Sequence, residues 1–556
     1  MNLPVLNFRY SDPKAGAALF YRKHLLFHIL FAAALLFCGC GPGQDNHVEN
    51  SKLLRIGTPM KISRTNPLAD YHYSILAMLT THETLVRFNS NMEPVPQLAE
   101  SWKSSSNATR WTFHLVENAK WHDGKPVSAD DVKFTFKYMA DHHGASAWIK
   151  NLIKDIRVRG RDITFLLKRP YSRFLINVGF IVRILPGHIW KAVDNPLQPG
   201  DADTSLGCGP YILEKLHTRE NRIRFRKNKE YYGSKPSMEY LDFLTHRSFD
   251  NLAFLLIRGD IDVFYKYASG FSAPYLPKLK KTKSIEILYA DSMGIPAAIG
   301  FNLKQGPARD RSFRRALAYA FDYKKIGQSL LSGAGKTPSP GFIPPILRKG
   351  KPMDLLSKDP DKARNLLSNL GYKDTDSDGL LNHPDTGSNL VLTLLSRSDL
   401  EGMDALQPIL SHNLRQLGIG LKIEKKDLSA WITEVKKQQH DLILFRTTPW
   451  GMVMEAGAGT GYFDSRRKGG GTLSNVSDPE FHRICDTILE STNPDVLSNL
   501  YGKIRDYYAK HLPAVALCWS VNAYPFEHGL KGLVINPIEG GVINRETFHQ
   551  VEKISR

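Results

Sequence analysis

Cysteine is scarce: the 556 residues hold 5, at Cys38, Cys40, Cys208, Cys485 and Cys518. No C-x-x-C pair occurs, which argues against zinc ribbons and thioredoxin-like redox chemistry. Catalytic signatures are missing too. There is no G-x-S-x-G elbow, no H-E-x-x-H helix and no Walker loop, and His82-Glu83 lacks a second histidine four residues after the first. No internal repeat is visible. The net charge of +19 could suit nucleic acid or an anionic membrane surface, but no Lys/Arg run interleaved with aromatics occurs and it reads as a basic solvated surface. The chain is also short of long apolar runs. Leu25 to Phe37, interrupted by His28, is too brief for a permanent membrane span.

What is present is ordinary folded protein. Hydrophobic residues make up 42% and charged residues 23%, which sets disorder and membrane-channel readings aside. The length exceeds one core and implies two or three domains. Arg22-Lys23-His24, the apolar run and Cys38-Gly39-Cys40 together read as a secretory signal with a lipobox-like end. Cys40 is the expected lipidated residue, although Phe37 stands where leucine is usual. Gly-Pro-Gly-Gln-Asp-Asn follows, a polar tether. Losing residues 1–39 leaves a surplus of about +16. Three cysteines then remain, enough for one disulfide and one free thiol, with no pair singled out.

Local patterns place the elements. Residues 53–58, 111–115, 163–167, 390–395, 421–423 and 441–445 read as strands. Residues 73–86, 314–321, 361–370 and 406–417 read as helices. Ser128, with Asp131 at the third helical position, opens a further helix as a capping box with Asp in place of Glu. Helix–strand alternation over 361–445 indicates an α/β lobe.

Several stretches together carry a resemblance. They are Thr84-Leu85-Val86, Pro96 to Trp102, Trp111-Thr112-Phe113, Trp121 to Pro126, Ala129 to Val132, Gly207 to Tyr211, Asn228 to Gly233, Gly259 to Asp262, Arg314 to Asp322, Leu417-Gly418-Ile419 and Leu530 to Leu533. In that order they resemble the signature of family 5 extracellular solute-binding proteins, receptors of peptide, dipeptide and nickel ABC importers. The resemblance implies an α/β, two-lobed, type II-like periplasmic-binding-protein clamshell with an extra subdomain in the first lobe. The expected layout is signal peptide 1–39, tether 40–50, lobe I core 51–85 with 205–300 and 520–556, extra subdomain 86–204 and lobe II 301–519. Hinges are expected near Gly300-Phe301-Asn302 and Val521-Asn522, and Gly207-Cys208-Gly209-Pro210 as a sharp crossing between lobes.

The implied function is capture of a solute by domain closure. Delivery to an ABC permease and its ATPase subunits would follow, from a monomer held by lipid in the periplasm or at the cell surface. No cofactor is required. Peptide-binding relatives hold the ligand's amino terminus with an acid where this chain reads Phe445 to Glu455; the acid is missing, and Glu455 is a displaced substitute. Arg446 with Trp450 is closer to the nickel-binding branch, where an aromatic wall and an arginine hold an anionic chelate. Arg183 lies near that arginine's position, offset by a residue. A guanidinium grips a carboxylate in two places, which suits a chelate or a peptide. Asp374, Asp376 and Asp378, with Asn382 and Asp385 at the ninth and twelfth places, have calcium-loop spacing and could hold a structural calcium. Two other classes stand against this reading: a secreted peptide hydrolase, which peptide turnover would reveal, and an envelope chaperone or structural protein that kept the clamshell.

Overall fold

A computed structural model describes residues 51–554, apart from 144–145, 147, 201, 332–333, 348–352, 355, 399–401, 448–459 and 467–472. Three larger sheets organise them. The first has seven strands, in the order Ile285–Asp291, Val521–Glu527, Val263–Phe264, Leu53–Thr58, Tyr240–Thr245, Arg222–Lys227 and Tyr211–His217. Leu53–Thr58 runs parallel to both neighbours, and its buried Leu54 and Ile56 pack in one core with Leu241, Phe243 and Val263. Its half-buried Leu53 and Arg55 alternate with them before the fully buried end, residues 56–58.

The second sheet is four-stranded and antiparallel: Ala99–Ser104, Arg110–Leu115, Asp162–Leu167 and Ile153–Arg159. Alternation decides which face is inside. Trp111, Phe113 and Leu115 are buried, as are Ile163, Phe165 and Leu167 opposite them. The helix Ala129–His142 covers this sheet and begins as expected. Ser128 accepts from the Asp131 N–H, and the Asp131 carboxylate accepts from the Ser128 N–H at 2.9 Å.

The third sheet, Gly420–Lys426, Val391–Arg397, Leu442–Thr447, Ile295–Phe301 and Ala514–Cys518, is the centre of the other lobe. Helices Arg311–Ala320, Pro360–Asn369 and Met403–Arg415 pack with it around Phe313, Leu317, Leu394 and Leu406. The chain passes between the seven- and five-stranded sheets twice, after Asp291 and after Cys518. The two crossings are tied by Ser292 N–H donating to Ser520 O at 3.0 Å. The first therefore lies before the expected hinge. Gly300 and Phe301 are paired on the Leu442–Thr447 side, and Gly300 also pairs with Ala514, so they are sheet interior and not hinge.

The helix expected over 73–86 spans Tyr71–Leu79 and stops there. Residues 80–84 are buried against the Gly207–Gly209 backbone. A Cβ on Gly207 would meet Thr81 O at 1.9 Å, and one on Gly209 would meet Thr80 O at 2.3 Å, so only glycine permits this approach. The crossing expected between lobes thus lies within the first lobe, where its extra sheet meets the seven-stranded one. The three cysteines Cys208, Cys485 and Cys518 are buried and free, so they form no disulfide; Cys208 and Cys485 belong to different cores. No helix among the described residues is long and apolar enough to cross a membrane.

Away from the two crossing segments in sequence, the lobes touch again. Ser172 N–H donates to Leu489 O at 2.7 Å and its hydroxyl to Ile488 O at 2.7 Å. Those carbonyls end the helix Pro479–Glu490 and have no partner within it. Arg173 adds a bond to the Tyr501 hydroxyl at 3.2 Å.

Candidate functional site

The crossings form the floor of a cleft between the two lobes, a cavity of about 480 Å³. Tyr71 and His72 reach it from the start of the helix Tyr71–Leu79, and the loop Lys266–Pro274 forms one wall. Leu330, Gly402 and Arg446–Thr447 form the other. The floor is tight. Phe271 N–H donates to Ala523 O at 2.7 Å, and a Cβ on Gly270 would meet Ala523 N at 2.4 Å. Thr447 is buried and its hydroxyl accepts from the Ile295 N–H at 2.8 Å, which fixes the end of its strand to the crossing.

In the strand Leu442–Thr447 only Arg446 is exposed. It therefore projects into the cleft from a rigid base. Desolvation raises the Tyr71 phenol above its ordinary range, and the Arg446 charge across the cleft opposes that rise. No carboxylate among the described residues pairs with Arg446.

Arg183 does not line this cavity. It is half-buried beside the stretch Thr80–Glu83, since Ile184 N–H donates to Glu83 O at 2.8 Å. Its Nε has no hydrogen-bond partner, and no acid among the described residues balances it. Burial lowers its pKa to about 10. Burial, and then Arg183 and His122, push the His82 imidazole down to about 3. Trp450 and Glu455 lie outside the described residues, as does Cys40.

The acidic loop is partly assembled. Ligand oxygens of Asp374, Asp376 and Asp378 lie within 4.8 Å of one another, and all three side chains are exposed. Ser377 and Gly379 have φ of 61° and 82°, the left-handed turn that bends the carboxylates together. Asn382 does not join them. It is buried, accepts from the Thr375 N–H at 2.7 Å and donates to Asn389. Asp385 instead approaches His383 at 3.8 Å. Sequence reasoning missed Tyr71, His72 and Lys266 in the cleft. They come from segments far apart in the chain, and no motif marks them.

Comparison with known proteins fits this geometry. The model of bacterial extracellular solute-binding proteins, family 5 Middle, matches residues 93–469. The chain belongs to family 5 of the bacterial extracellular solute-binding proteins. It is 22% identical over 438 residues to the nickel-binding periplasmic protein of Escherichia coli (strain K12), covering 77% of this chain and 79% of that one. It is 22% identical over 489 residues to the dipeptide-binding protein of the same strain, covering 82% and 87%. A crystal structure of NikZ from Campylobacter jejuni in complex with Ni(L-His) superimposes with a TM-score of 0.71 at 22% identity, covering 90% of this chain and all of that one. The mixed α/β, two-lobed fold is the one these relatives share, and solute binding is the role of the family. The solute-binding role is the one expected from the sequence.

Proposed function

We propose that this solute-binding protein captures a small anionic ligand, a metal chelate or a short peptide, between its lobes and hands it to the permease and ATPase subunits of an ABC importer. It performs no catalysis in this reading, and lipid on Cys40 holds it in the periplasm or at the cell surface. One observation carries the ligand class: Arg446 projects into the cleft from a buried strand without an acidic partner among the described residues. A charge left unbalanced near a cleft is one that a ligand carboxylate completes, and arginine's forked donors suit a carboxylate. Relatives bearing nickel- and peptide-binding names support both ligand types. Trp450 supplies an apolar wall in this reading.

Titration calorimetry with nickel plus histidine, and with dipeptides and oligopeptides, tests it. Arg446→Ala loses roughly 2–5 kcal/mol, about thirtyfold to several thousandfold in affinity, whereas Arg183→Ala, outside the cleft, leaves affinity unchanged. Trp450→Ala weakens binding less and leaves the fold intact. Unchanged affinity in Arg446→Ala would sink the site assignment, and turnover of any peptide would favour a hydrolase.

A further inference from the structure

One end of the first lobe is built where the chain preceding Leu53 must attach. Lys553 Nζ donates to Leu53 O at 2.8 Å, and Ile554 N–H donates to Gly529 O at 2.9 Å. His528 N–H donates to Ser284 O at 2.9 Å, which brings Lys283 and Lys281 alongside. Lys531 pairs in the sheet with Glu552. Ser237 donates to Val551 O at 2.6 Å, and nearby Lys235 Nζ reaches Lys229 O at 2.5 Å. Lys229, Lys235, Lys281, Lys283 and Lys531 therefore share the end from which Leu53 enters the fold. All five are exposed, and so is the apolar side chain of Ile554, at 58%.

Acids on this end offset only part of that charge: Glu230 and Glu552 are exposed beside Lys229 and Lys531. Asp262 is buried and engaged by Arg55 at 2.6 Å and Lys553 at 2.8 Å. Glu239 faces Lys227 at 3.5 Å. Glu286 is shared by His528 and Lys531. Among the described residues no carboxylate lies within salt-bridge range of Lys229, Lys235, Lys281 or Lys283. Exposed lysines with long stems, four of them outside salt-bridge range of any described carboxylate, and one exposed isoleucine are what an anionic, partly apolar surface complements.

We propose that this end is a membrane-facing surface that docks on anionic phospholipid headgroups. Twelve residues separate Cys40 from Leu53, a span of at most about 47 Å when fully extended. An anchor on Cys40 keeps Leu53 within that distance of a bilayer, and docking orients the opposite side of the molecule, with its cleft, away from the lipid. The proposal rests on the anchored reading for its setting, yet the lysine surface binds lipid whether or not Cys40 is acylated.

The test uses the unlipidated chain 41–556, which contains the whole compact unit from Leu53 onward, and large vesicles at about 50 mM salt. Protein should float with vesicles containing about one-third phosphatidylglycerol and not with phosphatidylcholine alone. Salt near 0.5 M should release it, because screening shortens the reach of exposed charges. Lys229→Glu, Lys281→Glu, Lys283→Glu and Lys531→Glu together should lower partitioning more than tenfold, as each basic residue near an anionic surface contributes substantially. Lys304→Glu, Lys324→Glu, Lys325→Glu and Lys436→Glu, exposed on the other lobe, should change it by less than twofold. Equal losses in the two sets would mean that net charge alone binds, and absence of wild-type binding would leave the surface to an acidic protein partner; either overturns the proposal. Mass spectrometry of the mature N-terminus separates the two readings. Lipid on Cys40 without vesicle binding by 41–556 ends this proposal alone, and an unmodified Cys40 with vesicle binding ends the anchor alone.

Discussion

Glu83 and Arg545 illustrate what single residues decide here. Both side chains are almost wholly buried, and Arg545 Nη1 donates to Glu83 Oε1 at 2.8 Å. Tyr231 donates its hydroxyl to the same oxygen at 3.0 Å, and Gln97 reaches the other. Arg545 also donates to His82 O at 3.1 Å, and its backbone N–H donates to Glu539, which holds Arg87. Such a pair is tolerated because nearly every lone pair and proton is used, not because the charges attract strongly on balance. Glu83→Ala should therefore destabilise the protein by about 3–5 kcal/mol, since it strands a buried guanidinium. Adding Arg545→Met should recover most of that loss, because the orphaned charge goes with it. Urea denaturation of the single and double variants measures both. A double variant no more stable than Glu83→Ala would refute this account.

At the scale of the element, two local structures carry opposite lessons. Ser172 closes the end of the helix Pro479–Glu490 from the other lobe, satisfying carbonyls that the helix cannot satisfy alone. The acidic loop 374–379 instead spends effort on itself. Gly379 N–H donates to Asp374 at 3.0 Å, Leu380 N–H to Asp378 at 2.7 Å, and Asn389 to Asp378 at 2.5 Å. Three mutually close carboxylates still repel, so a hard cation that bridges them should stabilise the folded chain. Calcium at a hundredfold its dissociation constant would add about 2.7 kcal/mol, a few degrees in Tm. Asp376→Ala should abolish the shift in a thermal melt, whereas Asp385→Ala should keep it, because Asp385 is outside the cluster. A wild-type Tm indifferent to calcium would leave the loop a polar turn.

For the whole molecule the buried histidines set the response to acid. Burial, and then Arg183 and His122, push His82 down to about 3. Burial dominates for His122 and His440, each near 4. His440 has no hydrogen-bond partner at either ring nitrogen among the described residues. An unfolded histidine titrates near 6.5. Between about pH 6.5 and 4 the unfolded chain therefore binds protons that the folded chain refuses, and stability falls as pH falls. Each histidine contributes up to about 1.4 kcal/mol per pH unit across that window. Tm should be level from pH 8 to 7 and decline steadily from pH 6.5 to 4.5, measured by calorimetry. A flat profile over that range would show that these imidazoles are protonated without cost.

The sequence by itself determined the strands at 53–58, 111–115 and 163–167, the capping box at Ser128 and Asp131, and the family. Each of these rests on alternation, capping or motif, which act over a few consecutive residues. It also marked Arg446 and the acidic triplet, because their chemistry is written in adjacent positions. Tertiary structure alone decided where the chain crosses between lobes, because partners such as Gly300 and Ala514 or Ser292 and Ser520 are far apart in sequence. It alone joined Glu83 to Arg545 and set Tyr71 across from Arg446. It left Asn382 to brace the loop and kept the three cysteines apart. Those outcomes depend on which buried polar groups find one another as the sheets assemble, and no local pattern encodes that pairing.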